Sequence, residues 1–134
     1  MSKVTPEEVL SHLKLVPVFR SYSRGELKQL AAVMTEETVW AGTTLIEEGK
    51  PNHRFFIVLD GEVEIAQQGK VVRRARPGTF FGEISLMELV PATASAISRT
   101  SCSLMILEHQ AFLALVRKDG RLGRDVNAAM EERR

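Results

Sequence analysis

The stretch Phe55-Phe56-Ile57-Val58-Leu59-Asp60-Gly61-Glu62-Val63-Glu64-Ile65-Ala66-Gln67-Gln68-Gly69-Lys70-Val71-Val72-Arg73-Arg74 decides the fold class. Its first five residues are a continuous apolar run of strand length, the pattern of a buried strand. Asp60-Gly61 stops the run and is a strong hairpin signal, so it predicts that the flanking strands pair. Glu62-Val63-Glu64-Ile65-Ala66 then alternates with a period of two, as a half-buried strand does. Gln68-Gly69 turns the chain into Lys70-Val71-Val72-Arg73-Arg74.

The same period extends on both sides. Thr38-Val39-Trp40 and Thr43-Thr44-Leu45-Ile46 read as strands separated by Ala41-Gly42, and Glu48 to His53 is a turn cluster. Pro77-Gly78 fits the centre of a type II turn. Ala94-Ser95-Ala96-Ile97-Ser98 and Ser103-Leu104-Met105-Ile106-Leu107 complete the strands. Many short strands with turn residues between them predict a small barrel. Helical spacing takes over at the ends. Thr5-Pro6-Glu7-Glu8 and Ser23-Arg24-Gly25-Glu26 are capping boxes, followed by Val9, Leu10, Leu13 and by Leu27, Leu30, Met34. Glu108 to Lys118 is helical, Asp119-Gly120 breaks it, and Leu122 to Glu132 reads as a last helix. The expected fold is mainly β with flanking helices (α+β): a double-stranded β-helix or jelly-roll barrel. One domain covers residues 1–134, with helices over 5–34, the barrel over 36–107 and C-terminal helices over 108–132.

Composition excludes several functions. The 18 Lys+Arg against 17 Asp+Glu leave a net charge of +1, so no global field draws nucleic acid or an anionic membrane. Cys102 is alone, which excludes an internal disulfide and a cysteine zinc site, and its apolar surroundings read as a buried thiol. No apolar run reaches the ~18–20 residues that span a bilayer, and no signal core follows the N-terminal lysine. The expected location is the cytoplasm. His12, His53 and His109 are scattered, so no metal site is expected, and no serine has a nearby histidine to activate it. An enzyme is therefore not expected. Asp60, Glu62 and Glu64 read as a solvated acidic strand face, and Trp40 and Phe55-Phe56 as packing residues. The arginines near the C-terminus are diluted by acids, so direct nucleic-acid binding is not expected.

The segment that carries chemistry is Phe80-Phe81-Gly82-Glu83-Ile84-Ser85-Leu86-Met87, which reads as a helical turn starting near Gly82. Unpaired N–H groups at a helix start favour a phosphate. Gly82 lets the backbone approach a ligand, and Glu83 offers a carboxylate that accepts from ribose hydroxyls. Phosphate donors beside a ribose acceptor, inside an apolar barrel, outline a nucleotide pocket.

This segment, with Pro91 four residues on, resembles the phosphate-binding cassette of the cyclic nucleotide-binding domain family. That family includes catabolite-activator regulators, regulatory subunits of cyclic-AMP-dependent kinase and cyclic-nucleotide-gated channels. Gly42, Glu48-Gly49 and Phe56-Ile57-Val58-Leu59-Asp60-Gly61-Glu62-Val63 sit at the family's spacing, and the resemblance covers roughly Leu13 to Val116. It implies that Glu83 binds the ribose 2′-hydroxyl and that Gly82, Ile84 and Ser85 turn backbone N–H groups toward the cyclic phosphate. It implies that Thr93 donates to a phosphate oxygen and that Ile65, Val72 and Phe81 surround purine and sugar. By the same likeness the C-terminal segment covers the base.

One position departs from the pattern. After the proline the family has Arg, then Ser/Thr, then Ala; here the run is Pro91-Ala92-Thr93-Ala94. A charge-assisted hydrogen bond contributes ~1.5–3 kcal/mol. Its loss predicts affinity weaker by roughly ten- to a hundredfold. Three outcomes stay open: weak nucleotide binding, recruitment of another cation, with Arg73 and Arg74 on alternate sides of the preceding strand as the candidates, or a different anionic ligand or none. The leading expectation is a non-enzymatic sensor with no cofactor, binding cyclic AMP in preference to cyclic GMP at reduced affinity and signalling to a protein partner or output domain. The alternative is a degenerate fold serving as a protein-interaction module. No helix-turn-helix reading head is visible within these residues, so the expectation is either a stand-alone domain or a piece whose output domain lies beyond one end; a dimer through the C-terminal segment is left open.

Overall fold

The computed structural model describes residues 5–15, 19, 22–82 and 90–118. The chain opens with α1 (Pro6–Leu15) and α2 (Arg24–Ala32). Eight strands follow: β1 (Thr35–Val39), β2 (Thr44–Ile46), β3 (Arg54–Asp60), β4 (Val63–Gln67), β5 (Lys70–Ala75), β6 (Phe80–Phe81), β7 (Ser95–Ser98) and β8 (Cys102–Glu108). Helix α3 (His109–Lys118) continues from β8 without a break. The strands form two antiparallel four-stranded sheets, ordered β1-β8-β3-β6 and β2-β7-β4-β5, packed as a jelly roll.

Alternation along β3 explains why this strand is apolar throughout. Phe55, Ile57 and Leu59 face α1 and α2, where they join Leu10, Leu13, Leu27, Leu30 and Leu107. Phe56 and Val58 face the other sheet, where they join Ile46, Val63, Ile65, Ala96, Leu104 and Ile106. The central strands β3 and β8 of the first sheet are thus buried on both faces, while β1 at its edge is exposed. Both helix starts carry the expected hydroxyl cap, but only the second closes the full reciprocal box; at the first, the Glu8 carboxylate accepts from the Thr5 hydroxyl instead of the Thr5 amide. The Thr5 hydroxyl accepts from the Glu8 amide at 3.2 Å, and Ser23 and Glu26 complete a capping box. Glu7 and Arg24 pair across the two helices, and the Arg24 hydrogen bond holds the exposed Glu7 carboxyl below the usual carboxylate range.

Asp60-Gly61 does not make the expected hairpin. β3 and β4 lie in different sheets, and β3 pairs with β8 and β6 instead. The dipeptide is a corner. Gly61 has φ +91°, and a Cβ there would stand 2.4 Å from the Ser101 carbonyl oxygen. The same glycine chemistry that closes a hairpin here lets the chain leave one sheet for the other. Gln68-Gly69 does close a hairpin: both residues have positive φ, as a type I′ turn requires, and β4 pairs with β5 across it.

Three other expectations are corrected. Trp40 is 82% exposed, so it is not a packing residue; its carbonyl, which accepts from Thr43 Oγ1 and Ser98 Oγ at 2.7 Å, is what the fold holds. Glu62 and Glu64 are not a freely solvated face. Their side chains are 22% and 25% exposed and lie among Arg74, Arg76 and Arg99, because Arg74 sits opposite Glu64 in the β4–β5 register. His53 and His109, scattered in sequence, stand with ring centroids 6.4 Å apart because β3 and β8 pair beside them. No group of three metal-ligating side chains occurs among the described residues. Cys102 is buried, as its surroundings predict. Among the described residues no helix is long and apolar enough to cross a membrane. The expected helix over Leu122–Glu132 lies outside the described residues.

Candidate functional site

The cassette enters from β6. Phe81 is buried and stacks on Phe56, with ring centroids 4.8 Å apart and planes 7° from parallel. This contact, with the Phe56–Phe81 strand register, delivers the backbone to Gly82. Gly82 has φ +87°, and a Cβ on it would lie 2.7 Å from the Arg54 carbonyl oxygen and 3.2 Å from Asn52 Nδ2. No other residue fits this conformation and this close approach together. The glycine singled out as a ligand-approach residue is therefore also a packing necessity. Glu83, Ile84 and Ser85 lie outside the described residues.

The cassette's exit is held as firmly. Pro91 bridges to Pro51, the Ala92 amide donates to the Lys50 carbonyl at 2.9 Å, and the Ala92 carbonyl accepts from the Gly49 amide at 2.8 Å. Ala92 is 8% exposed. Thr93 is exposed, and its carbonyl accepts from Gln67 Nε2 at 3.0 Å. The turn cluster over residues 49–54 therefore touches both flanks of the cassette. Glu48-Gly49, noted only as a spacing match, is bonded into it: the Glu48 amide donates to Ser95 Oγ at 3.0 Å.

The remaining predicted residues lie on or beside the β4–β5 wall. Ile65 is buried, and it faces Ala96 on one side and Arg73 on the other. Val63, Ile65, Arg73 and Ala75 share the inner face of this sheet, since directly paired residues point the same way. The register skips Val72 between Ile65↔Arg73 and Ala66↔Val71, so Val72 is the extra residue of a bulge and is 56% exposed. Arg73 is half-buried and donates through Nη2 to the Phe80 carbonyl at 3.1 Å, one strand residue before Phe81. Arg74 takes the outer face and joins Glu62 and Glu64. Of the two arginines raised as candidates, the inward one is Arg73.

Sequence reasoning missed Asn52. It is a buried polar residue, 7% exposed. Its Nδ2 donates to the Arg54 carbonyl at 2.8 Å, and its Oδ1 accepts from the Arg54 amide at 3.2 Å. Within a turn cluster an asparagine is unremarkable in sequence; only the approach of Gly82 reveals its place. A cavity of about 450 Å³ lined by His53, Glu108, His109 and Gln110 opens at the base of α3.

Comparison with known proteins places this architecture. A regulatory subunit of cAMP-dependent protein kinase from Yarrowia lipolytica is 31% identical over 106 residues, 78% of this chain and 28% of that protein. The cGMP-dependent protein kinase egl-4 of Caenorhabditis elegans is 28% identical over 101 residues, 75% of this chain and 13% of that protein. The chain thus spans under a third of the length of either relative. The regulatory domain of Toxoplasma gondii PKA, solved with cAMP, superposes with a TM-score of 0.74 at 30% identity, covering 81% of this chain and 43% of that one. The model of the cyclic nucleotide-binding domain matches residues 36–119, from β1 through α3. The family is regulatory, and its two-sheet barrel is the fold described above. With the fold, the cassette flanks and the family match in agreement, this chain belongs to the cyclic nucleotide-binding domain family.

Proposed function

We propose that the chain is a non-enzymatic cytoplasmic sensor that binds a cyclic nucleotide in the Gly82–Ser85 turn, with weakened hold on the phosphate. The observation that carries this reading is the pair of cassette flanks. Gly82 is held at positive φ against Arg54, and Ala92 is held by two backbone bonds where the family pattern has arginine. Both flanks of the cassette are held in place, while the cation that the family pattern carries is missing at position 92. In this reading Glu83 accepts from the ribose, Thr93 donates to the phosphate, and Ile65, Val72 and Phe81 border the purine and sugar. Cyclic AMP is the first candidate ligand, and binding is signalled to a protein partner or output domain.

Titration with cyclic AMP and cyclic GMP, followed in amide NMR spectra, tests it. The expected result is shifts at Gly82 and its neighbours that weaken in Glu83→Ala. Ala92→Arg should tighten binding by about ten- to a hundredfold, since a charge-assisted hydrogen bond is restored. No binding by the native chain at millimolar ligand would replace this reading with a degenerate interaction module.

A second reading, preference for cyclic GMP, is favoured by Arg73. Its guanidinium is on the inner face beside Ile65, on the wall assigned to the purine. A guanidinium donates only, so it matches the O6 and N7 acceptors of guanine and meets the N6 amino group of adenine as donor against donor. Under this reading Arg73→Ala lowers affinity for cyclic GMP and leaves that for cyclic AMP nearly unchanged. Equal loss for both nucleotides assigns Arg73 to the phosphate or to the fold.

A further inference from the structure

We infer that Asn52 is a positioning residue that couples the cassette to the first turn of α3. The inference rests on the nucleotide-binding reading and deepens it. The segment from Gly49 to Arg54 meets three separate elements. Through Gly49 and Lys50 it bonds both backbone groups of Ala92, at the cassette's exit. Through Asn52 Nδ2 and the Arg54 carbonyl it packs on Gly82, at the cassette's entrance. Through the His53 carbonyl, which accepts from the His109 amide at 2.7 Å, it holds the residue where β8 becomes α3.

Asn52 is the side chain that makes this segment one unit. It both donates to and accepts from Arg54, so it closes a loop around His53 and sets the direction of the His53 carbonyl. Its amide also touches the space a Gly82 side chain would fill, so a shift of the cassette's first residue must move Asn52 or the Arg54 carbonyl. Buried and close-packed, this contact has little room to absorb the shift locally. A ligand that moves Gly82 therefore moves the His53 carbonyl, and with it the His109 amide.

The test compares the native chain with Asn52→Ala, Asn52→Asp and His53→Ala, each checked for native amide shifts in β3 and β8. Asn52→Asp keeps the acceptor for the Arg54 amide and removes the donor to its carbonyl. His53→Ala removes the imidazole and keeps the carbonyl. Without ligand, hydrogen exchange at the His109 amide should speed about tenfold in both Asn52 variants, in line with the loss of one buried hydrogen bond, and stay native in His53→Ala. With cyclic AMP or cyclic GMP added, the His109 amide should shift together with Gly82 in the native chain and in His53→Ala. In the Asn52 variants Gly82 should still respond while the His109 shift falls by half or more. Equal His109 shifts in native and Asn52 variants that bind ligand overturn the inference alone. Native exchange at His109 in both Asn52 variants also overturns it. Absence of any ligand response in the native chain overturns the nucleotide reading, and with it the signalling role of Asn52.

Discussion

The two sheets of this barrel are built from different kinds of strand. In the β1-β8-β3-β6 sheet, β3 and β8 are buried on both faces, because helices cover one face and the second sheet covers the other. In the β2-β7-β4-β5 sheet, β4 alternates: Val63 and Ile65 point inward while Glu64 points to a rim of arginines. The first sheet is a structural spine. The second has an inner face that borders the candidate site and an outer face carrying charge. Antiparallel sheets commonly have one solvated face; the spine departs from that habit because α1 and α2 need an apolar surface to dock on.

Truncation of the spine should produce the largest effect. Phe55→Ala removes a ring 1% exposed that packs edge-on against Phe80 at 5.4 Å. It should cost about 3–5 kcal/mol, measured by urea unfolding. A loss below about 1 kcal/mol would mean that the helix-facing layer is not a tight core. Next comes the corner between the sheets. Gly61→Ala forces a side chain into positive φ and against the Ser101 carbonyl, so a loss of about 2–4 kcal/mol is expected in the same assay. If it is neutral, the crossing from spine to second sheet is not fixed by Gly61.

The smallest effect belongs to the charged outer face. Glu64→Gln removes one carboxylate from Arg74 and Arg99, whose side chains are 45% and 53% exposed. Pairs so exposed are screened, so a loss of at most about 1 kcal/mol is expected, shrinking as salt rises. A larger, salt-independent loss would move this rim from surface decoration to part of the core and erase the contrast between the sheets.

The contrast also shows how far sequence reading reaches. Period and turn chemistry located the strands and helix starts, because side-chain alternation and capping are local rules. They failed at Asp60-Gly61, where one dipeptide serves hairpin and corner alike and the partner of β3 is more than forty residues away in β8. They failed at Trp40, since an indole in a strand-like run says nothing about which face is covered. At the site, Gly82 and Ala92 stood out through the cassette's spacing. Asn52 did not, because its role exists only where Gly82 and Ala92 meet the same turn.

Taken alone, the sequence determined most of the strands, the apolar spine, the hydroxyl caps of the two N-terminal helices and the missing arginine at Ala92. Each follows from neighbours within a few residues or from an ordered motif. Tertiary structure decided which strands pair, that Arg73 turns inward while Arg74 turns outward, that His53 meets His109, and that one buried asparagine stands between cassette and helix. Those relations join residues distant in the chain. They are set by which surfaces exclude water together, and no local pattern records that.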